Sequence, residues 1–259
     1  MRRAPWLSLF LLAGCVSSPA IVRQPSMATL PIPQPVIPAI QRIIVDAGHG
    51  GHDPGTGHFG LQEKNLTLDI ARRLEAALQA KGFSVVLTRD KDVFVPLSKR
   101  PEAGTRANGD LFVSVHVNAN RNPQVAGVEA YYPRESVLGP TASLPPRIGP
   151  AEVAMPTQTI QQILWDLVLS RSRRHSVKLA TQICRAMRIR LGVKCRGVRG
   201  ARFVVLRESR MPAVLVEVGY LTNRAEASRL ATVSYRQAIA ESIADGLIAY
   251  ASELGLQHI

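Results

Sequence analysis

Ile43-Ile44-Val45-Asp46-Ala47-Gly48-His49-Gly50-Gly51-His52-Asp53-Pro54-Gly55 is the stretch that decides the fold. Three β-branched apolar residues in a row read as a strand buried on both faces, the kind found inside sheets covered by helices. The run stops at a loop with four glycines, as strands do where α/β folds place their ligands. Downstream, strand and helix alternate. Leu66, Ile70, Leu74, Ala77 and Leu78 form one helical stripe, closed by Lys81-Gly82. Strands are expected at Phe83–Leu87, Leu111–Val115, Gly127–Tyr132, Phe203–Leu206 and Ala213–Val218. Helices are expected at Ser98–Asn108, interrupted near Pro101, and at Thr159–Leu169, Ser176–Leu191 and Tyr235–Leu254. This pattern predicts one α/β domain over residues 41–259, a twisted sheet of about six strands flanked by helices. Residues 133–157 break the rhythm with six prolines and read as an irregular insertion.

The N-terminus predicts export. Arg2 and Arg3 precede a short apolar run, Trp6 to Leu12, too short for the roughly 20 residues that span a bilayer. Leu12-Ala13-Gly14-Cys15 resembles a bacterial lipobox, which makes residues 1–14 a lipoprotein signal peptide and Cys15 the lipidated residue. Val16 after the cysteine, by the same resemblance, favours anchoring to the outer membrane, with the protein facing the periplasm. Residues 15–40 hold Pro19, Pro25, Pro31, Pro33, Pro35 and Pro38, a stiff tether between anchor and domain. The formal net charge of +13 calls for an anionic partner. Eleven arginines between Arg171 and Arg210 supply much of it. Only 5% of residues are aromatic and no nucleic-acid module is evident, which argues against nucleic acid and leaves a membrane surface or an acidic polymer as the partner. Cys184 and Cys195 lack a metal-binding spacing; in an oxidising compartment they are either a disulfide or two buried thiols.

The chemistry gathers at strand ends. His49 sits among glycines that expose it, His116 ends the strand of Ser114-Val115-His116-Val117-Asn118, and Glu63 opens the first helix. Two histidines and a carboxylate on neighbouring strand-end loops are the donor set of a hydrolytic zinc site with a fourth position left for water. His52 is the competing ligand, and His58, His175 and His258 read as structural or surface residues. Glu217 interrupts the otherwise apolar Val214-Leu215-Val216-Glu217-Val218. A carboxylate inside a core strand is costly, and the general base of a hydrolase is the reason that fits here. Asp46 is the expected partner orienting His49.

Together "IIVDAGHGGHDPG" (43–55), "EKNLTLDIARRLEAAL" (63–78), "SVHVNAN" (114–120) and "MPAVLVEVGYLTN" (211–223) resemble the zinc-dependent N-acetylmuramoyl-L-alanine amidases, including the cell-division amidases. The resemblance spans about Arg42 to Glu253. It implies one Zn2+ held by His49, Glu63 and His116, with Glu217 as catalytic residue. The implied reaction cuts the amide between N-acetylmuramic acid and L-alanine in peptidoglycan. In the cell-division relatives, a helix in the insertion blocks the zinc until an activator protein displaces it. Here the prolines of 133–157 oppose such a helix, leaving Glu135 and Glu152 as the segment's carboxylates and Glu152 as the residue that could occlude the metal. Two other readings remain open: a wall-binding protein without activity, and a zinc hydrolase acting on a different bond.

Overall fold

The structure, a computed structural model, describes residues 40–134 and 158–256. The signal peptide, Cys15, nearly all of the tether, and Glu135 and Glu152 of the insertion lie outside the described residues. Among the described residues no helix is long and apolar enough to cross a membrane.

The chain order is β1 (Arg42–Ala47), β2 (Gly57–His58), β3 (Leu61–Gln62), α1 (Glu63–Gln79), β4 (Ser84–Leu87), α2 (Lys99–Arg106) and β5 (Leu111–Asn118). There follow β6 (Val128–Pro133), α3 (Gln158–Leu191), β7 (Cys195–Ala201), α4 (Val204–Arg207), β8 (Ala213–Tyr220), α5 (Arg224–Leu230) and α6 (Val233–Leu256). Six strands form one mixed sheet in the order β4-β1-β5-β8-β6-β7, and β2 and β3 make a separate hairpin. The pairs β1/β4, β1/β5, β5/β8 and β6/β7 are parallel, whereas β6 runs antiparallel to β8.

Alternation along β1 sends Ile43, Val45 and Ala47 to one side and Ile44 to the other, and all four are fully buried. The first side meets Leu66, Ile70, Leu74 and Leu78 of α1, Leu179, Ile183 and Met187 of α3, and Ile239, Ile243 and Leu247 of α6 in one core. The second side packs Ile44, Phe112 and Leu215 against Val205, Leu206 and Met211. With helices covering both faces, the central parallel strands read as continuous apolar runs.

Four sequence expectations need correction. The helices expected at 159–169 and 176–191 are one helix, α3, because Ser170 to His175 is polar yet holds no glycine or proline to stop it. Residues 203–206 are not a strand; Val204–Arg207 form α4. The sixth strand is β7, whose sequence Cys-Arg-Gly-Val-Arg-Gly-Ala carries no apolar alternation. Finally, α2 runs unbroken through Pro101, which occupies the first turn, where a backbone N–H has no intrahelical partner to lose.

Candidate metal centre

Parallel pairing places Ala47 of β1 beside Val115 of β5, so both strands deliver their C-terminal ends to the same edge. The Gly48 N–H donates to the Val115 carbonyl at 3.0 Å, and the next residue is His49. His49 adopts a φ of +62°, a conformation uncommon for a residue with a Cβ. Its ring meets that of His116 edge-on, with centroids 5.0 Å apart. Gly48 is required here for space rather than flexibility. A Cβ at this position would lie 2.4 Å from His116 Cε1 and 2.6 Å from its Nε2.

Glu63 completes the group. As the first residue of α1 it stands where the helix dipole favours an anion. Its Oε1 lies 3.1 Å from His49 Nε2 and 3.1 Å from His116 Nδ1. One potential ligand atom from each of the three residues lies within 4.8 Å of the others. The Val117 N–H donates to Glu63 Oε1 and the Thr56 N–H to Oε2, each at 2.9 Å. Burial alone would raise the Glu63 pKa, but hydrogen bonds to His116 and His49 win and hold it well below the usual carboxylate range. At His49 burial pulls the pKa down, while Glu63 and then Asp53 outweigh it and leave it raised. Two imidazoles and an ionised carboxylate converging in this way are a donor set for a divalent metal of the zinc type, and the residues present fit it. His52 does not join them: its ring stacks on Phe94 with centroids 4.2 Å apart.

The expected role of Asp46 is corrected by the structure. Asp53, four residues after His49, is the partner of its Nδ1, with Oδ2 at 2.8 Å. This leaves His49 Nε2 facing Glu63. Asp46 is fully buried and occupied elsewhere, accepting hydrogen bonds from Thr88 Oγ1 and Ser114 Oγ at 2.6 Å each. Arg100 completes its shell at 2.9 Å. The same guanidinium donates to the carbonyls of Ala47 at 2.7 Å and His49 at 2.9 Å. Arg89 adds bonds to the carbonyls of Ala47 and Gly48. Asp46 therefore acts on the metal loop through Arg100, and two buried arginines hold the three carbonyls leading into the candidate ligand.

On the other side of His116 lies Glu217. The two are register partners on β5 and β8, and Glu217 is in turn the register partner of Glu129 on β6. Residues paired in register project from the same face of a sheet, so these three side chains form one row. Glu217 Oε2 is buried and has no hydrogen-bond partner among the described residues. Burial, with repulsion from Glu63 and Glu129 added, pushes the Glu217 carboxyl well above the usual range. Glu129, by contrast, is saturated: Tyr131 Oη donates at 2.6 Å, Arg199 at 2.9 Å and Asn118 at 3.3 Å. Of two neighbouring carboxylates, one is fully engaged and the other is free to exchange a proton. That is the division of environments a general base needs.

Sequence reasoning missed Asp53, Glu129, Arg89 and Arg100. Asp53 and Glu129 follow from local spacing, i+4 from His49 and a lone acid in β6, whereas nothing local marks the arginines. Cys184 and Cys195 form a disulfide joining α3 to β7, with Cα atoms 5.8 Å apart.

A family model described as N-acetylmuramoyl-L-alanine amidase matches residues 43–249. The amidase AmiA of Salmonella typhimurium is 37% identical over 219 residues, covering 80% of this chain and 75% of that protein. LytC of Bacillus subtilis is 34% identical, over 81% of this chain and 35% of its own length. Among solved structures, the amidase AmiC2 of Nostoc punctiforme superposes with a TM-score of 0.64 at 34% identity, covering 82% of this chain and 97% of that one.

Proposed function

The chain belongs to the N-acetylmuramoyl-L-alanine amidase family, and from that premise we propose that it hydrolyses the amide between N-acetylmuramic acid and L-alanine at the centre formed by His49, Glu63, His116 and Glu217. Peptidoglycan is the substrate of this family, and the strongly basic chain suits an acidic wall polymer. The observation that carries the assignment of roles is the unpartnered, buried Glu217 Oε2 in register beside His116.

In this reading His49, Glu63 and His116 would hold one Zn2+. The chemistry zinc supplies in such a set is Lewis acidity, which polarises an amide carbonyl and makes water more acidic. Glu217 takes a proton from the attacking water and returns it to the leaving L-alanine nitrogen, so one carboxyl group serves both halves of the hydrolysis. Asp53 keeps the His49 proton on Nδ1, leaving Nε2 with its lone pair. Glu129 is held by Tyr131 and Arg199 and so leaves the side of the row facing Glu217 fixed in place. From the leader and Cys15 we infer a lipid-anchored enzyme on the periplasmic side, tethered to the outer membrane by residues 15–40. An activator protein is not required by this reading; Glu152 remains the residue that could occlude the metal, and Glu152→Ala would then raise activity.

Digestion of purified peptidoglycan by the mature protein, with products identified by mass, tests the function. Release of intact stem peptides with a free L-alanine amine is expected. Release of disaccharides, or cuts within the stem, would refute it. Chelation should abolish turnover, and Glu217→Gln should do the same with zinc still bound; full turnover in that variant removes Glu217 from the mechanism.

A further inference from the structure

An open pocket of about 560 Å³ is lined by His58, Ala119, Asn120, Arg121, Pro123 and Thr222. Its walls come from the same connections that carry the centre. His58 ends β2 of the hairpin whose other strand runs into Glu63. Ala119 and Asn120 follow His116 at the exit of β5, and Thr222 follows Glu217 at the exit of β8. The Asn120 N–H donates to Thr222 Oγ1 at 3.0 Å, which closes the last two connections onto each other. The pocket is thus continuous in chain with the candidate ligands and base.

Its lining contains no acid. Arg121 is exposed and has no carboxylate partner among the described residues. Next to this lining, Arg224 lies 4.7 Å over the ring of Phe59, the residue after His58, so a second guanidinium is held at the hairpin tip by an aromatic face rather than by an anion. Among the described residues, neither Arg121 in the lining nor Arg224 at the neighbouring hairpin tip has an acidic partner, although the centre on the same connections is rich in carboxylates.

Resting on the reading of the substrate given above, we propose that this pocket receives the stem peptide and that Arg121 binds a carboxylate of the peptide near the scissile bond. The substrate divides unequally around its amide. The N-acetylmuramic acid side is neutral, since its carboxyl is consumed in the bond that is cut. The peptide side carries free carboxylates, including one on the acidic residue following L-alanine. A basic, acid-free pocket matches the charged half, and a guanidinium gives a carboxylate a bidentate partner. This orients the substrate, with the peptide leaving over the β5 and β8 exits. It also makes Arg121 a specificity determinant: amidation of that carboxylate removes the charge it reads.

The test compares cleavage of two muramoyl peptides by the full-length enzyme, one with the free carboxylate on the residue after L-alanine and one with that group amidated. The wild-type enzyme should favour the acidic substrate by about fivefold in kcat/KM, expressed mainly in KM, the size expected of an ion pair at an exposed site. Arg121→Gln should lose the preference, Arg121→Glu should invert it, and Arg188→Gln, on the exposed face of α3, should retain it. Equal cleavage of both substrates by the wild type, or an unchanged preference in Arg121→Gln and Arg121→Glu, overturns the pocket assignment while leaving the amidase reading intact. Failure to cleave either substrate or intact peptidoglycan overturns the amidase reading, and the pocket assignment with it.

Discussion

Removing Arg100 is the sharpest test of how the metal loop is held. Its side chain is 2% exposed and its guanidinium makes four bonds: to Asp46 and to the carbonyls of Val95, Ala47 and His49, at 2.9, 3.0, 2.7 and 2.9 Å. In Arg100→Met the aliphatic stem is kept and the charge is lost. Asp46 then stays fully buried with only the hydroxyls of Thr88 and Ser114 to solvate it. Leaving one partner of a buried ion pair behind costs about 3–5 kcal/mol. For a domain of this size that corresponds to a drop in Tm of about 6–20 °C. Asp46→Asn in the same background removes the stranded charge, so the double variant should recover a large part of the loss. Zinc affinity should fall as well, even below the melting transition, because His49 loses the bond that fixes its carbonyl. The measurements are urea unfolding of the four proteins in the cycle and zinc competition against a chromophoric chelator. A cost below about 1 kcal/mol for Arg100→Met, or no rescue by Asp46→Asn, refutes the claim that this pair supports the loop.

Two further outcomes follow from geometry. Gly48→Ala puts a Cβ 2.4–2.7 Å from three atoms of the His116 ring, and the ring must move. An overpacking cost of about 1–3 kcal/mol should appear as a loss of about five- to 150-fold in zinc affinity with the fold retained, and unchanged zinc binding would contradict it. Asp69 pairs with Arg73 within α1 at 2.8 Å and joins α1 to α6 through Arg236 at 2.5 Å. Burial would raise its pKa, but the two arginines lower it below the ordinary aspartate value. A depressed carboxylate pKa contributes stability above the unfolded pKa and loses it as pH falls through the folded one. The stability gap between wild type and Asp69→Asn, read from urea midpoints, should therefore narrow as pH falls below the ordinary aspartate range; a gap that stays constant on acidification removes the ion pairs from the account.

The fold was legible wherever one force dominated the local pattern. β1, β5 and β8 are sheathed by helices on both faces, so burial alone dictates runs such as Ile43–Val45 and Val214–Val216. β7 escaped because it is an edge strand: paired on one side only, it tolerates glycine and arginine, and its arginines serve Glu129 rather than the core. α4 reads as a strand in the sequence because a four-residue apolar run, Phe203 to Leu206, has the same composition in either state. Only the packing of Val205 and Leu206 against Phe112 and Met211 settles it.

The site divides along a similar line. His49, His116, Glu63 and Glu217 each stand out locally, as a histidine among glycines, a histidine at a strand end, an acid at a helix start and an acid inside an apolar strand. The network that positions them does not, because its bonds cross the sequence: Asp46 meets Arg100 across 54 residues, and Glu129 meets Arg199 across 70. The position of Asp46 shows this. A carboxylate three residues before a histidine invites direct pairing, but the β1 pleat turns Asp46 into the interior toward Ser114 on β5 and Thr88 beyond β4. Asp53 reaches Nδ1 instead because the chain reverses, Gly50 and Asp53 exchanging backbone bonds at 2.9 and 3.2 Å. The reversal depends on Gly50 at φ +126° and Gly51 at φ +60°. The glycines that expose His49 to substrate are thus also what folds its orienting carboxylate back onto it, and substitutions there should disturb both at once.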